Sequence, residues 1–187
     1  MSKFLHFVFQ DRITRIGSSK LLLRFIIHVF LNSSGSIIVT FRTIQYLRDK
    51  KGLLSTLTRK LFLAKYAFLQ DKYNVSLPPE TKVGAGVLFP HRFPVVINGA
   101  SIIGDNCTIH PNVLIGRHRL KEGAPIIGNN VFIGNGAKII GNPKVGDWVF
   151  ISPAAVITKD IPARSIVGAG VNNILPGDAL KHVQAYL

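Results

Sequence analysis

Cysteine occurs once in this chain of 187 residues, at Cys107. One thiol builds no disulfide framework within a chain, so a reducing compartment is the expected setting. Acidic residues are scarce: nine Asp and Glu stand against 23 Lys and Arg. No cysteine–histidine spacing suits zinc, and no aromatic residues interleave with the basic ones. No metal and no nucleic acid are therefore expected. Long apolar runs are missing too. The longest, Leu21 to Leu31, is broken by Arg24 and His28, and a spanning helix needs about 20 residues. The opening Met1 to Phe4 does not read as a clean signal peptide, because Asp11, Arg12 and Arg15 interrupt the apolar stretch that follows. A cytoplasmic location is expected.

What is present divides into two parts. The chain is 47% apolar and 17% charged, which is the make-up of a folded protein. Its formal net charge of +14 is concentrated at the start. Residues 1–74 carry 13 Lys and Arg against 3 Asp and Glu, whereas residues 75–187 carry 10 against 6. Such a field favours anionic partners. Three helices are predicted in the basic region, over Leu21–Leu31, Ile37–Leu47 and Leu53–Leu69. The polar stretch Asn32 to Ser36 separates the first two. They suit a cap on whatever follows or a contact between subunits. The third mixes Arg59, Lys60 and Lys65 with leucines, which also suits peripheral contact with an anionic membrane.

From Val83 onward an apolar residue recurs every six positions, often followed by glycine. One series is Ile103, Ile109 and Ile115; the next is Ile127, Ile133, Ile139, Val145, Ile151 and Ile157. Two residues before each sits a compact partner: Ser101, Cys107, Val113, Pro125, Val131, Ala137, Pro143, Val149 and Ala155. An even period keeps all these side chains on one face of an extended strand, and a helical period of 3.6 does not. The pattern predicts a parallel β-helix of short strands, three hexads to a coil, with the repeated residues packed inside. Cys107 lies on the inward series and is read as packing. The division expected is a helical, basic region over 1–74, the β-helix over 75–170 and a tail over 171–187.

The rhythm breaks twice. The series restarts two residues late at Ile97, which marks an enlarged turn around His91 to Pro94. Between Arg117 and Pro125 no strand pattern survives, and Arg117, His118, Arg119 and Lys121 cluster there. Irregularities on a rigid repeat are where sites are expected.

Three stretches carry a resemblance: Leu77 to Gly84, Gly123 to Gly134 and Ala155 to Pro162. Together they make residues 38–170 resemble the bacterial hexapeptide-repeat acyltransferases, in their serine acetyltransferase-like branch. That resemblance implies a left-handed parallel β-helix, acetyl-CoA as co-substrate and a homotrimer with coenzyme sites between neighbouring prisms. His91 matches the catalytic histidine. Histidine titrates near neutrality and can take the proton of a hydroxyl as it attacks a thioester. Gly134, Gly136, Ala137, Ser152 and Ala154 match the small residues lining the coenzyme cleft. Lys159 and Arg164 match basic residues near its phosphates. Arg117, His118 and Arg119 are expected to border the acceptor.

The departures guide the choice of acceptor. Pro90, Ser76, Gly123 and Ala124 stand where serine acetyltransferases carry an aspartate, a second aspartate and an Arg-His pair. His91 is then left to a backbone carbonyl or Ser76 for orientation. The expectation is O-acetylation of a sugar hydroxyl in a bacterial surface polysaccharide such as capsule, or its precursor. Serine O-acetylation in cysteine synthesis and a non-catalytic β-helix scaffold are the alternatives.

Overall fold

The computed structural model describes residues 34–91, 94–119 and 122–185. The helix expected over Leu21–Leu31 lies outside the described residues. The next two are present as α1 (Ser34–Arg48) and α2 (Leu53–Tyr73). Asn74 ends α2 in the left-handed conformation, φ 51°, which asparagine tolerates better than most residues.

The chain then winds into a β-solenoid of three sheets. Sheet A stacks β1 (Val75–Ser76), β3 (Val95–Ile97), β6 (Val113–Gly116), β9 (Lys138–Ile140), β12 (Ala155–Ile157) and β14 (Gly170–Val171). Sheet B stacks β2 (Lys82–Val83), β4 (Ile102–Ile103), β7 (Ile126–Ile127) and β10 (Lys144–Val145). Sheet C stacks β5 (Thr108–Ile109), β8 (Phe132–Ile133), β11 (Phe150–Ile151), β13 (Ile166–Val167) and β15 (Ile174–Leu175). Named pairings are parallel except the closing β13–β15 pair. The short helix α3 (Leu180–Gln184) folds back on β11.

The registers explain the period of six. Ile97 pairs with Ile115 and Ile115 with Ile139; Ile103 pairs with Ile127; Ile109 pairs with Ile133. Like residues therefore stack on like, and all of these are buried. The compact series is buried alongside them, Cys107 included. One continuous core results, running from Ile37 and Phe41 on α1 through the coils to Val167.

The left-handed corner does not fall on the glycine that often follows each apolar residue. The left-handed residue comes two positions later, three after the inward residue. Asn106, Asn112, Asn130, Gly136, Trp148, Ala154 and Arg164 all have φ between 55° and 70°. The earlier glycine answers a different need, close approach of coils. A Cβ on Gly134 would lie 2.6 Å from the nitrogen of Pro153 and 2.8 Å from the carbonyl oxygen of Ile151.

Side chains also lock the coils together along the corner between sheets B and C. Asp105 Oδ1 accepts from the amide of Ala85 at 2.7 Å, Asn129 Oδ1 from that of Asp105 at 2.8 Å, and Asp147 Oδ1 from that of Asn129 at 2.6 Å. Each link satisfies a backbone donor that a sharp corner leaves unpaired.

The helices close the open end of the first coil. Tyr66 and Leu69 of α2 and Ile44 of α1 join Val75 and Leu77 in the core. The Tyr66 hydroxyl donates to the carbonyl of Leu77 at 2.7 Å, and the buried Arg42 guanidinium donates to the carbonyls of Val83, at 2.7 Å, and Gly84.

Candidate active site

The two breaks in the repeat become two insertions at two corners. Leu88 bridges Thr108 on sheet C, and Val95 pairs with Val113 on sheet A. The path between them is two residues longer in the first coil than in the second, and the extra length carries His91. Between sheets A and B, Ile115 to Ile127 spans six residues more than Ile97 to Ile103. That insertion holds Arg117, His118 and Arg119, all exposed.

The corner between sheets C and A gathers most of the residues picked out from sequence. His91 lies there in the first coil. Pro111 and Asn112 form the corner of the second, Gly134 to Gly136 that of the third, and Ser152 to Ala154 that of the fourth. Backbone bonds tie these corners into one edge: Asn112 donates to Pro94 at 2.6 Å, Gly136 to Pro111 at 3.0 Å and Ala154 to Asn135 at 2.9 Å. The edge is thus built mostly from small residues, with Asn112, Asn135, Pro153 and Ala154 exposed along it and an imidazole at one end. Ala137, one step further towards sheet A, is fully buried, its amide donating to Gly134 at 3.2 Å and its carbonyl accepting from Leu114 at 3.0 Å.

The basic residues fall elsewhere. Lys159 follows β12 at the corner between sheets A and B, on the same edge as the Arg117 insertion. Arg164 lies at the third corner, between Ile161 and β13. Its guanidinium is engaged by Asp178 through two hydrogen bonds, one of them 3.2 Å. These hydrogen bonds raise the Arg164 pKa and, with the amide of Leu180, lower that of Asp178. Within one chain, neither these residues nor Arg117 to Arg119 are brought to His91.

A second histidine, absent from the expected site, stands beside His91. His110 follows the inward Ile109, and its ring centre is 5.6 Å from that of His91. The row continues along the outer face of sheet C. His110 is 4.9 Å from Phe132, Phe132 stacks on Phe150 at 4.7 Å, and Phe150 is 5.4 Å from His182 of α3. The Phe132–Phe150 distance is the strand spacing of a sheet, so the row is a register effect of stacked coils. α3 covers part of it, burying Phe132 against Ala179 and Val183. Burial, and then the neighbouring His91, push the His110 pKa below its ordinary value. A neutral ring beside His91 can accept or donate a hydrogen bond and so hold its tautomer. The signal was available: His110 is in the residue after a core position, six-fold in phase with the site's glycines, and is the sole imidazole there.

Cys107 takes no part. Its thiol is fully buried and donates to the carbonyl of Gly128 at 3.2 Å. Burial, ahead of the charges of Asp105 and Asp147, pushes its pKa up to about 12. Among the described residues there is no cluster of three metal-ligating side chains.

Residues 124–159 match the family profile described as bacterial transferase hexapeptide, six repeats. A serine acetyltransferase of Helicobacter pylori is 38% identical over 103 residues, covering 54% of this chain and 60% of that protein. One from Synechococcus elongatus is 35% identical over 95 residues, covering 50% and 39%. A probable serine acetyltransferase 5 of Oryza sativa is 36% identical over 157 residues, covering 76% and 46%. The chain spans about half the length of the curated relatives it matches. Among solved structures, serine acetyltransferase of Brucella abortus with coenzyme A superposes with TM-score 0.68 at 25% identity, covering 94% of this chain and 66% of that one. The soybean apoenzyme gives 0.64 at 26%, covering 92% and 67%.

These likenesses correct the expected acceptor. The relatives are named for serine, not for a sugar of capsule or other surface polysaccharide. The inference to a sugar rested on the missing acidic and Arg-His partners at Pro90, Ser76, Gly123 and Ala124. A missing charge at one position does not define an acceptor, because the same role can be filled from another coil or another subunit.

Proposed function

We propose that this chain is an acetyl-CoA-dependent serine O-acetyltransferase with His91 as general base. One observation carries the reading. His91 shares an edge with the stacked small-residue corners Gly134–Gly136 and Ser152–Ala154, in a fold whose named relatives transfer acetyl to serine. The absence of bulky side chains along such an edge lets an extended pantetheine arm approach. The histidine at the end of that row meets the thioester.

The reaction then follows. The His91 imidazole takes the proton of the serine hydroxyl as the oxygen attacks the thioester carbon. The tetrahedral intermediate collapses with cleavage of the carbon–sulfur bond. The proton passes to the departing thiolate, leaving O-acetylserine and coenzyme A. His110, uncharged near neutrality, positions the His91 ring in place of the missing aspartate.

Arg117, His118 and Arg119 hold the acceptor carboxylate, with Lys159 nearby for the coenzyme phosphates. They occupy the opposite edge of sheet A from His91, roughly 10 Å or more across a strand of three to four residues. A site using both edges needs a neighbouring copy, so a homotrimer of three 20.5 kDa chains is part of the proposal. Arg164 is left out, because Asp178 occupies it.

The test is thiol release from acetyl-CoA with L-serine, beside a panel of other hydroxyl acceptors. Serine-dependent release with a matching yield of O-acetylserine is expected. Release only with other acceptors would refute the acceptor, and no coenzyme binding by calorimetry would refute the activity.

A further inference from the structure

The outer face of α2 carries a row of apolar side chains that the solenoid does not use. Leu53, Leu54, Leu57, Leu61 and Phe68 are between 55% and 81% exposed. Leu54, Leu57, Leu61, Ala64 and Phe68 follow the spacing i, i+3, i+7, i+10, i+14, which is one straight stripe along a helix. At 100° per residue it is about 80° wide, and at 1.5 Å per residue about 21 Å long. Its centre lies about 130° around the helix from Tyr66 and Leu69, the residues α2 buries. The stripe therefore faces away from the body of the protein, where a broad surface can reach it.

The borders of the stripe decide what covers it. Lys65 and Lys72 run along one side and Lys60 along the other. Thr58, Ala67 and one acid, the exposed Asp71 beside Lys60, complete the flanking positions, so the borders keep a net positive charge. Just before Leu53 comes the run Arg48, Asp49, Lys50, Lys51, all exposed. A second copy of α2 pairing along this stripe brings two net-positive sets of borders together, three lysines against one aspartate in each, which opposes association. An anionic surface meets cations on both sides and leucines between them. Lysines at the edges of an apolar stripe can lay their stems along it and keep their charge among headgroups. No helix among the described residues is long and apolar enough to cross a membrane, so the contact lies on the surface.

We infer that the stripe Leu54–Leu57–Leu61–Phe68, bordered by Lys60, Lys65 and Lys72, docks the protein on an anionic lipid bilayer. The inference is independent of the acetyl-transfer reading, since none of these residues belongs to the proposed site.

The experiment floats the full chain with vesicles of phosphatidylcholine alone and with phosphatidylcholine carrying one third phosphatidylglycerol. Two variants run beside it: Leu54→Gln with Leu57→Gln, Leu61→Gln and Phe68→Gln, and Lys60→Gln with Lys72→Gln. Glutamine keeps helix propensity at exposed positions, and circular dichroism and solution mass are recorded for each. The unaltered chain is expected to float with anionic vesicles alone, and both variants to lose about tenfold or more of that binding. An unaltered chain that stays at the bottom of the gradient overturns the inference. So does a glutamine-stripe variant that floats undiminished, since the net charge alone would then suffice. A fall in solution mass of the stripe variant would assign the face to a second copy and overturn it equally.

Discussion

The rings of His91 and His110 stand 5.6 Å apart at their centres, tilted by 59°, and His110 is itself 4.9 Å from Phe132. His91 comes from an enlarged turn of the first coil and His110 from the regular second coil directly beside it. The regular coil thus provides a fixed neighbour for the residue on the irregular one.

His91→Ala is expected to lower kcat by about 10²–10⁴-fold, the range for loss of a positioned general base. Acetyl-CoA affinity should hardly change, because the edge of small residues remains. The check is steady-state kinetics with calorimetric titration of the coenzyme. Full activity would remove His91 from the chemistry.

His110→Ala is expected to reduce kcat by about tenfold or more with little change in KM, and His110→Asn to restore part of it. A second readout is stability against pH. The folded-state pKa of His110 lies below its unfolded value, so the unfolded chain binds more protons as the pH falls. Stability carried by the neutral ring is therefore full above about pH 6.5 and declines below it. Thermal unfolding between pH 7.5 and 5.5 should show a decline that His110→Asn lessens. The Arg164–Asp178 pair does not confuse this window, because the Asp178 carboxylate is held below its ordinary range. An unchanged slope would place the titration elsewhere.

The fold was legible because its information is linear. Each inward residue repeats at six, and the registers Ile103–Ile127 and Ile109–Ile133 are that repeat seen in space. The two insertions were legible for the same reason, as lost phase. What periodicity could not show was which corner each residue occupies relative to a ligand. Lys159 and Arg164 looked equivalent as basic residues near the end of the repeat, yet they lie on different edges, and Arg164 is paired with Asp178. The His91–His110 contact is not visible in the sequence, because the two are 19 positions apart and meet only once coils are stacked. The acceptor was not legible, because a charge absent at one position can be supplied from another coil or another subunit.

Cys107→Ala should leave acetyl transfer intact and cost about 1 kcal/mol or more of stability from a small buried void. With its pKa pushed up to about 12, the native thiol should also resist a thiol reagent at pH 8 until the chain is unfolded. Rapid labelling of folded protein, or loss of turnover in a folded variant, would reopen a covalent route through this sulfur.

Gly134→Ala and Gly136→Ala separate two reasons for glycine on the proposed coenzyme edge. The Gly134 Cβ would meet backbone atoms of the next coil at 2.6–2.8 Å, so overpacking should cost about 1–3 kcal/mol. A Cβ on Gly136 meets nothing within 4 Å, but its φ of 70° is left-handed, and alanine there should cost about 1 kcal/mol. Denaturant unfolding of both variants reads the difference. Equal costs would contradict the contact geometry.

Arg117→Ser with Arg119→Ser tests whether the insertion between sheets A and B serves the acceptor. Both side chains are exposed and lie on the far edge of sheet A from His91, so they reach the chemistry only if a neighbouring chain turns this edge toward it. Removing two cations that face a carboxylate should raise the serine KM by about tenfold or more, since charge-assisted bonds are each worth about 1.5–3 kcal/mol. The acetyl-CoA KM should stay nearly constant, because the small-residue edge belongs to the other corner. Solution mass distinguishes the two ways the prediction can fail. If the double variant remains a trimer of 20.5 kDa chains and its serine KM is unaltered, the insertion does not touch the acceptor. If the unaltered protein is a monomer that nonetheless turns over serine, His91 and its acceptor contacts must all come from one chain, and the shared site is wrong.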